Sequence, residues 1–210
     1  MALLANAFRW LSLRPGGSGQ PRARRVLGRA AVSLALALSL LCQSARASAA
    51  TALDEYAVKA AFIYQFIQFV EWPSEVFADP AANIVVGIVG DDPFDEHLRR
   101  TTEGRTAQGR RIVVRTVRHG DQLRQCHLLF VSASEEARIP DLLRTLGTAN
   151  VFTVGDTPGF AQAGGTLNFV MEAARVKFEV NIVAAERARI RISSKLLHVA
   201  RIVRPGARQS

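Results

Sequence analysis

The sequence predicts an α/β fold: a three-layer sandwich in which helices flank a mostly parallel sheet, with an antiparallel hairpin near the C-terminus. Two observations lead to this fold class. Apolar runs that are typical of buried strands alternate along the chain with helical patterns, which favours a parallel sheet covered by helices. The predicted strands over residues 166–171 and 176–181 are separated by only four residues, and so short a connection requires an antiparallel pair.

Two helices and two strands are expected in the first half of the domain. A helix is predicted from Leu53 to Glu71, because this stretch is apolar on nearly all sides and Pro73 cannot continue it. The continuous apolar run Ile84–Val89 predicts a strand that is buried on both faces. A short helix follows from Asp91 to about Arg100, and the alternating strand Arg111–Val117 is expected near a sheet edge.

The next three elements repeat the alternation of strand and helix. A strand is predicted over His127–Ser132 and another over Asn150–Val154. Between them, Ser134 is expected to cap a helix over Glu135–Leu146, which Gly147 ends.

After these strands the sequence predicts a loop, the hairpin and a last helix. Residues 155–165 form a glycine-rich loop at the carboxyl end of a parallel strand, where α/β folds bind ligands. Phe160 and the nearby Asn168 are therefore candidate binding residues, although a tight chain reversal that needs glycine explains the loop equally well. Ser193 or Ser194 is expected to cap an amphipathic helix that runs through Val203.

Residues 1–47 are expected to be a secretory signal peptide, and residues 48–210 a single domain. The first segment contains several arginines, an uncharged Leu/Ala-rich run over residues 30–41 and the cleavage pattern Ala45-Arg46-Ala47. An uncleaved anchor is disfavoured, because the apolar run is shorter than the roughly 20 residues that a membrane-spanning helix needs. Arg24 and Arg25 leave a twin-arginine export signal open as an alternative to a merely basic one.

The predicted mature chain has little net charge and one cysteine. The net charge of +9 includes seven arginines in residues 1–47, which leaves +2 for residues 48–210. A charge this small argues against nucleic acid as a partner. Cys126 stands alone in residues 48–210, which excludes an intramolecular disulfide, and its place beside an apolar run predicts a buried side chain.

Aromatic residues at the end of the first predicted helix are the candidate partner-binding site. Tyr64, Phe69 and Trp72 surround the carboxylate Glu71, and Pro73 fixes the point where the helix must end. Wide rings held at a fixed position are typical anchors of protein interfaces. Ordinary core packing is the alternative interpretation of these rings.

No motif in the chain indicates an enzyme, a cofactor or a metal. Asp156-Thr157-Pro158-Gly159 matches one short GTPase element, but no lysine follows a glycine as a phosphate-binding loop requires, so a turn is the better interpretation. The acidic residues 91–96 are explained by the start of a helix. The four histidines lack zinc-site spacing, and no nucleophile elbow is present.

Four segments together resemble the YfiR family of exported regulatory proteins. Their order and spacing span nearly the whole predicted domain, and the first and last are the most specific. The segments are Tyr56-Ala57-Val58-Lys59-Ala60-Ala61-Phe62-Ile63-Tyr64 running on to Phe69-Val70-Glu71-Trp72-Pro73, Cys126-His127-Leu128-Leu129-Phe130-Val131-Ser132, Gly164-Gly165-Thr166-Leu167-Asn168-Phe169, and Val176-Lys177-Phe178-Glu179-Val180-Asn181 continuing to Ser193-Ser194-Lys195-Leu196-Leu197.

This resemblance implies a periplasmic, non-enzymatic α/β protein that forms a homodimer. It also implies that the protein binds the periplasmic sensory domain of an inner-membrane diguanylate cyclase and represses it, which lowers cyclic-di-GMP and biofilm formation. An outer-membrane, peptidoglycan-associated lipoprotein of the OmpA type relieves the repression in such a system. Characterised relatives use disulfides, and the lone Cys126 departs from that pattern.

A second function stays open from the sequence. Related domains also occur as sensory parts of histidine kinases, so the chain is alternatively a periplasmic small-molecule sensor or solute-binding module that signals to a kinase or another membrane protein.

Overall fold

A mixed sheet with helices on both faces forms the domain, which confirms the predicted α/β sandwich. The computed structural model describes residues 55–118 and 120–206. The predicted signal peptide and cleavage site lie outside the described residues. The described strands are β1 (Val70–Glu71), β2 (Ile84–Val89), β3 (Thr106–Ala107), β4 (Arg110–Val117), β5 (Leu128–Val131), β6 (Phe152–Gly155), β7 (Leu167–Glu172), β8 (Arg175–Asn181), β9 (Arg191–Ile192) and β10 (Arg201–Val203).

The described helices are short apart from the first. They are α1 (described over residues 55–69), α2 (His97–Thr102), α3 (Ile139–Leu146), α4 (Ile182–Arg187) and α5 (Ser194–Leu197), with 3₁₀ turns at Ser74–Val76, Asp121–Gln125 and Ala133–Arg138.

The strand order in the large sheet is β10-β8-β7-β6-β5-β2-β4-β3. The five strands from β4 to β7 are parallel to one another, whereas β8 runs antiparallel to β7 and pairs in parallel with β10. Because the chain moves from β2 to one side and then returns to the other, the central strands are doubly wound. The carboxyl ends of β2, β5 and β6 therefore lie at one end of the sheet.

Successive side chains along the strands alternate between two separate hydrophobic cores, one on each face of the sheet. Val86, Ile88 and Phe130 pack with the inner side of α1, whereas Val89 and Leu129 pack with α3 on the other face. The period of two along a strand produces this division. The β2 prediction is confirmed residue for residue, and a strand buried on both faces is what its unbroken apolar run indicated.

Two predicted helix boundaries are wrong. The first helix ends at residue 69, because Val70 and Glu71 form β1, which pairs in antiparallel fashion with β9. The second begins at His97 rather than near Asp91, because the carboxylate of Asp92 accepts a hydrogen bond from the backbone N–H of Phe94 and closes a turn.

The predicted helix over residues 135–146 is divided. A 3₁₀ turn covers Ala133–Arg138, and α3 begins only at Ile139, next to Pro140. Ser132 rather than Ser134 provides the cap, since its hydroxyl accepts a hydrogen bond from the backbone N–H of Ser134. Gly147 ends α3 as predicted.

The predicted C-terminal helix is wrong beyond its first turn. Ser193 caps α5 as expected, but the helix ends at Leu197, and Arg201–Val203 form β10 beside β8. Two β-branched residues in three favour the strand, and the exposed edge of β8 supplies its hydrogen-bonding partner. The hairpin itself is confirmed, with Ala173 and Ala174 at positive φ in its turn.

Cys126 is buried, as predicted, against a glycine that the sheet requires. A Cβ atom on Gly87 in β2 would lie 2.4 Å from the Cys126 sulfur, so only glycine fits there. The thiol donates a hydrogen bond to the backbone oxygen of Gln122, and burial raises its pKa. The side chain therefore fills space in the core.

Candidate functional site

Trp72, the largest ring of the predicted binding segment, faces inward. The residue is 7% exposed, and its indole Nε1 donates a hydrogen bond to the backbone oxygen of His127 at 2.9 Å. Val70 and Trp72 point into the core and Glu71 points out, because β1 is an extended strand whose successive side chains alternate. The interpretation of Trp72 as an accessible ring is therefore corrected by the pairing of β1 with β9.

Tyr64, Phe69 and Glu71 lie nearer the surface. Tyr64 is half-buried, and the guanidinium of Arg105 lies 4.8 Å from the centre of its ring. Phe69 is half-buried against the core. Glu71 is exposed and accepts a hydrogen bond of 2.7 Å from Arg191. These three side chains, rather than Trp72, form the accessible part of the predicted segment.

A larger uncharged surface surrounds them on α1. No charged residue occurs between Ala60 and Val70, yet the outward side of the helix exposes Ala61, Gln65 and Gln68 beside the half-buried Phe62. We call these four side chains the α1 outer face. Depletion of charge is the compositional mark of an interface core, whereas solvated helix faces are normally rich in charge.

An apolar groove of about 530 Å³ continues this face toward the β7–β8 hairpin. Its two large, exposed apolar side chains are Val58, 45% exposed, and Met171, 47% exposed. The groove is lined by Glu55, Val58, Phe62, Met171, Ala174, Arg175 and Val176. The sequence predicted both the helix and the hairpin but gave no sign that they lie side by side, since about 100 residues separate them along the chain.

A buried ionic cluster fastens α1 to the loop after β6. Lys59 donates a hydrogen bond to Asp156 at 2.9 Å and forms an ion pair with Glu55 at 2.6 Å, and both Lys59 and Asp156 have side chains that are 4% exposed. The hydroxyl of Tyr56 donates to the same carboxylate oxygen of Asp156 at 2.8 Å. Burial and this hydrogen bond raise the pKa of Tyr56 well above its usual value, so the hydroxyl stays protonated and keeps donating.

The sequence had suggested only a turn for Asp156. The turn exists, because the backbone N–H of Phe160 donates to the backbone oxygen of Thr157 at 3.1 Å. The carboxylate of Asp156, at the start of this turn, forms an ion pair with Lys59. Neither residue carried a local signal for this pairing, since they are separated by 97 positions.

A second ionic group lies beside the first, on the hairpin and β10. Arg201 forms ion pairs with Glu172 at 3.0 Å and with the fully buried Glu179. The amide of Gln162 donates to Glu179 at 3.0 Å. These contacts join the glycine-rich loop, the hairpin and the C-terminal strand.

The glycine-rich loop is folded around Phe160. The Phe160 ring is 1% exposed, and a Cβ atom on Gly155 or Gly165 would lie 2.6 Å or 2.1 Å from it. Close approach of the backbone to this ring therefore explains both glycines, whereas Gly159 and Gly164 have the positive φ angles of the predicted chain reversal. Asn168 is fully buried, and neither polar atom of its amide has a hydrogen-bond partner within the described part of the chain.

His127 connects the core to the segment after Trp72. Its Nδ1 atom accepts a hydrogen bond from the backbone N–H of Val85 at 3.0 Å, and its ring stacks on Phe77 at 4.6 Å. Burial, assisted by the charge of Arg110, lowers the pKa of His127 to about 4. The folded protein therefore keeps this imidazole neutral over a range in which a free histidine is protonated.

We expect His127 to make folding stability depend on pH. Between pH 6.5 and about 4 the unfolded chain binds a proton at this position and the folded chain does not. The contribution of His127 to the free energy of unfolding is therefore fully present above pH 6.5 and is lost as the pH falls toward 4. The expected loss is about 2 kcal/mol, allowing for the partial exposure of the ring. Urea unfolding at pH 7.5 and 4.5 measures it.

The variant His127→Asn keeps an acceptor for the N–H of Val85 and removes the titration. Its unfolding free energy should fall less between the two pH values than that of the wild type, whereas His198→Asn, at an exposed histidine, should behave as the wild type. Equal pH dependence in the wild type and His127→Asn would show that His127 makes no contribution.

Among residues 55–118 and 120–206, no group of three or more His, Cys, Asp or Glu side chains is placed to hold a metal ion. In the acidic stretch after β2, Asp92 pairs with Arg99 at 3.3 Å. No helix within the described ranges is both long and apolar enough to cross a membrane.

Comparison with known proteins identifies a family that covers most of the domain. A family model described as YfiR/HmsC-like matches residues 56–201. The comparison with curated proteins found no match. Among solved structures, a conserved domain protein from Vibrio cholerae O1 biovar El Tor is similar with a TM-score of 0.44 and 12% identity, over 57% of this chain and 54% of that one.

A second solved structure is similar to the same extent. It is the ABC domain in complex with L-Trp from Streptococcus pneumoniae, with a TM-score of 0.44 and 10% identity, over 57% of this chain and 55% of that one. The chain thus spans about half the length of either solved structure.

Proposed function

Because the chain belongs to the YfiR/HmsC-like family, we propose that it binds the periplasmic sensory domain of a membrane diguanylate cyclase and holds that enzyme inactive. Members of the family are periplasmic regulators of a membrane diguanylate cyclase, not enzymes. The match over residues 56–201 is the observation that carries the proposal, since it extends from the first helix to the start of the C-terminal strand. In this proposal the chain itself is likewise a binding protein without catalytic activity.

The α1 outer face is the contact surface that we propose for the cyclase. It is uncharged and exposed, and the groove beside Val58 and Met171 extends it. Tyr64, Phe69 and Glu71 lie along its end and would contact the partner at the rim. Trp72 has a supporting role in this proposal, because its buried ring fixes the exit of α1. Phe160 and Asn168 are buried and would act only through the loop that they pack.

Repression requires the regulator to favour one conformation of its partner. A ligand that binds two conformations equally shifts neither, so the α1 outer face must bind the inactive cyclase better than the active one. Moving an enzyme from almost fully active to almost fully inactive takes a difference of about 5 kcal/mol. An uncharged patch of this kind, with a few aromatic side chains at its edge, can supply that difference.

Three further parts belong to the proposal, two from the family resemblance and one from the pattern of residues 1–47. An OmpA-type, peptidoglycan-associated lipoprotein would relieve the repression by sequestering the protein. The protein would act as a homodimer. Residues 1–47 would be removed on export, which leaves the domain in the periplasm.

We expect Gln65→Lys to abolish repression. Gln65 lies at the centre of the α1 outer face and has an exposed side chain, so the substitution leaves the core intact. An unpaired charge buried in an interface costs about 2–5 kcal/mol of binding. Intracellular cyclic-di-GMP and biofilm mass should therefore rise to the level of the gene deletion, and a pull-down from detergent-solubilised envelopes should lose the cyclase.

The matched control is Gln125→Lys, because Gln125 is an exposed glutamine on a different element. This variant should repress as the wild type does, and immunoblotting should find both variants at normal abundance. Unchanged cyclic-di-GMP in the deletion strain would refute the cyclase proposal. Full repression by Gln65→Lys would keep the function and exclude the α1 outer face as its site.

We expect cleavage after Ala47. The basic segment, the apolar run and the Ala45-Arg46-Ala47 pattern together motivate this position. N-terminal sequencing of the protein from the periplasmic fraction should begin at Ser48 or at one of the next few residues. Mature material that retains the leader sequence would contradict the prediction.

A further inference from the structure

A polar cleft opens where β6 and β7 separate. The two strands pair only at Val154 with Leu167 and at Gly155 with Asn168, while β7 continues to Glu172. Beyond Asn168, no strand of the described chain pairs with β7 on this side. The resulting β6–β7 cleft has a volume of about 470 Å³ and is lined by Glu55, Lys59, Asp156, Pro158, Gly159, Phe169, Val170, Met171, Glu172 and Arg201.

Carboxylates outnumber cations in the lining of the β6–β7 cleft. The acids are Glu55, Asp156 and Glu172, against Lys59 and Arg201. Both cations are engaged, since Lys59 bonds to Glu55 and Asp156, and Arg201 bonds to Glu172 and to Glu179 behind it. The cleft therefore has a net negative charge and no free cation that would attract an anion.

Asp156 supplies an unused acceptor at this position. Its side chain is 4% exposed, and its Oδ2 atom receives hydrogen bonds from Tyr56 and Lys59. Its Oδ1 atom is buried and has no hydrogen-bond partner among the described residues. Buried carboxylate oxygens are almost always satisfied by a donor, so this atom marks a place for a donor from outside the chain.

We propose that the β6–β7 cleft binds a small organic cation, a primary amine, whose ammonium group donates a hydrogen bond to Oδ1 of Asp156. The alkyl part of the amine would lie against Pro158, Val170 and Met171, which line the same cleft. Glu55 and Asp156 carry two negative charges against the single positive charge of Lys59, so the excess negative charge beside Asp156 attracts the ligand. Glu172, which pairs with Arg201 and Lys177, lies at the mouth of the cleft and adds to the negative lining. A bare divalent cation fits less well, because it needs about six oxygen ligands around it.

Binding of n-butylamine to the purified protein tests this proposal. Isothermal titration calorimetry at pH 7 compares protonated butylamine with two four-carbon analogues. One is n-butanol, which is uncharged, and the other is butyrate, which is negatively charged. We expect saturable binding of butylamine that is at least about tenfold tighter than binding of either analogue, because only the amine complements the carboxylates. Equal binding of butylamine and butanol, or no saturation by butylamine, would overturn the proposal.

Two variants locate the site independently of any partner protein. Asp156→Asn should weaken butylamine binding about tenfold or more. This change also removes the ion pair of Lys59 with Asp156, so a second variant, Glu172→Gln, is needed. The Glu172 side chain is 43% exposed, and replacing it leaves the core intact. It should weaken binding a few-fold, and Glu103→Gln, on an exposed residue at the end of α2, should have no effect.

Unaltered affinity in both cleft variants would place the amine elsewhere and refute the assignment. The proposal does not rest on the cyclase, because the experiment contains only the protein and the amine. Its failure would leave the proposed regulatory function unchanged, and failure of the regulatory function would leave the cleft unchanged.

Discussion

Trp72→Ala is expected to lower the free energy of unfolding by about 3–5 kcal/mol, enough to leave little folded protein at 37 °C. The loss follows from the position of the ring, which is buried against His127 and packed in the core between α1 and the sheet. Removing it leaves a cavity that the flanking strands cannot fill without moving. Urea unfolding followed by circular dichroism measures the change.

Trp72→Phe separates packing from hydrogen bonding. The phenyl ring fills most of the space and loses only the N–H that donates to His127, whose backbone oxygen keeps a second donor in the N–H of Phe152. We therefore expect a smaller loss, about 1–2 kcal/mol. If Trp72→Ala melts like the wild type but fails to bind a partner, the ring must leave the core in solution and act as a surface anchor.

Lys59→Met is expected to be as damaging as the loss of Trp72, although it removes no large ring. The substitution leaves the carboxylate of Asp156 buried without its cation, and breaking one side of a buried ion pair costs about 3–5 kcal/mol. The methionine side chain is similar in length and apolar, so packing changes little. Unfolding in urea at pH 7 is the measurement.

The double variant Lys59→Met/Asp156→Asn is the control for this prediction. The amide of the asparagine still accepts the hydrogen bond from Tyr56 and carries no charge that needs a counterion. We expect the double variant to regain more than half of the lost stability. If it is no more stable than Lys59→Met alone, the loss comes from packing and not from the buried charge.

The fold class was predictable because the apolar composition of its central strands is visible in the local sequence. The run from Ile84 to Val89 is apolar at almost every position, and only a strand in the middle of a sandwich needs that composition. The C-terminal residues carry no such signal. Whether Arg201–Val203 continue a helix or join a sheet is decided by the edge of β8 and not by a residue of the segment itself.

The candidate site, too, was predictable from the sequence only in part. Composition alone identified the segment from Tyr64 to Trp72 as unusual, and the uncharged face of α1 agrees with it. Composition could not state which rings face outward, because the pairing of β1 with β9 decides that Trp72 points in. The contact between Lys59 and Asp156 had no local signal, since each residue taken alone resembles an ordinary helix or turn residue.

The pairing of β1 with β9, and of β10 with β8, also determines when this chain can finish folding. The exit of the first helix waits for residues 191 and 192 to complete a two-stranded sheet, and the large sheet receives its last strand from residues 201–203. The contacts between β1 and β9 join residues about 120 positions apart, and contacts of such separation raise the contact order, which slows folding. Most of the polypeptide, up to residue 192, must therefore be synthesised before the end of α1 can form its final contacts.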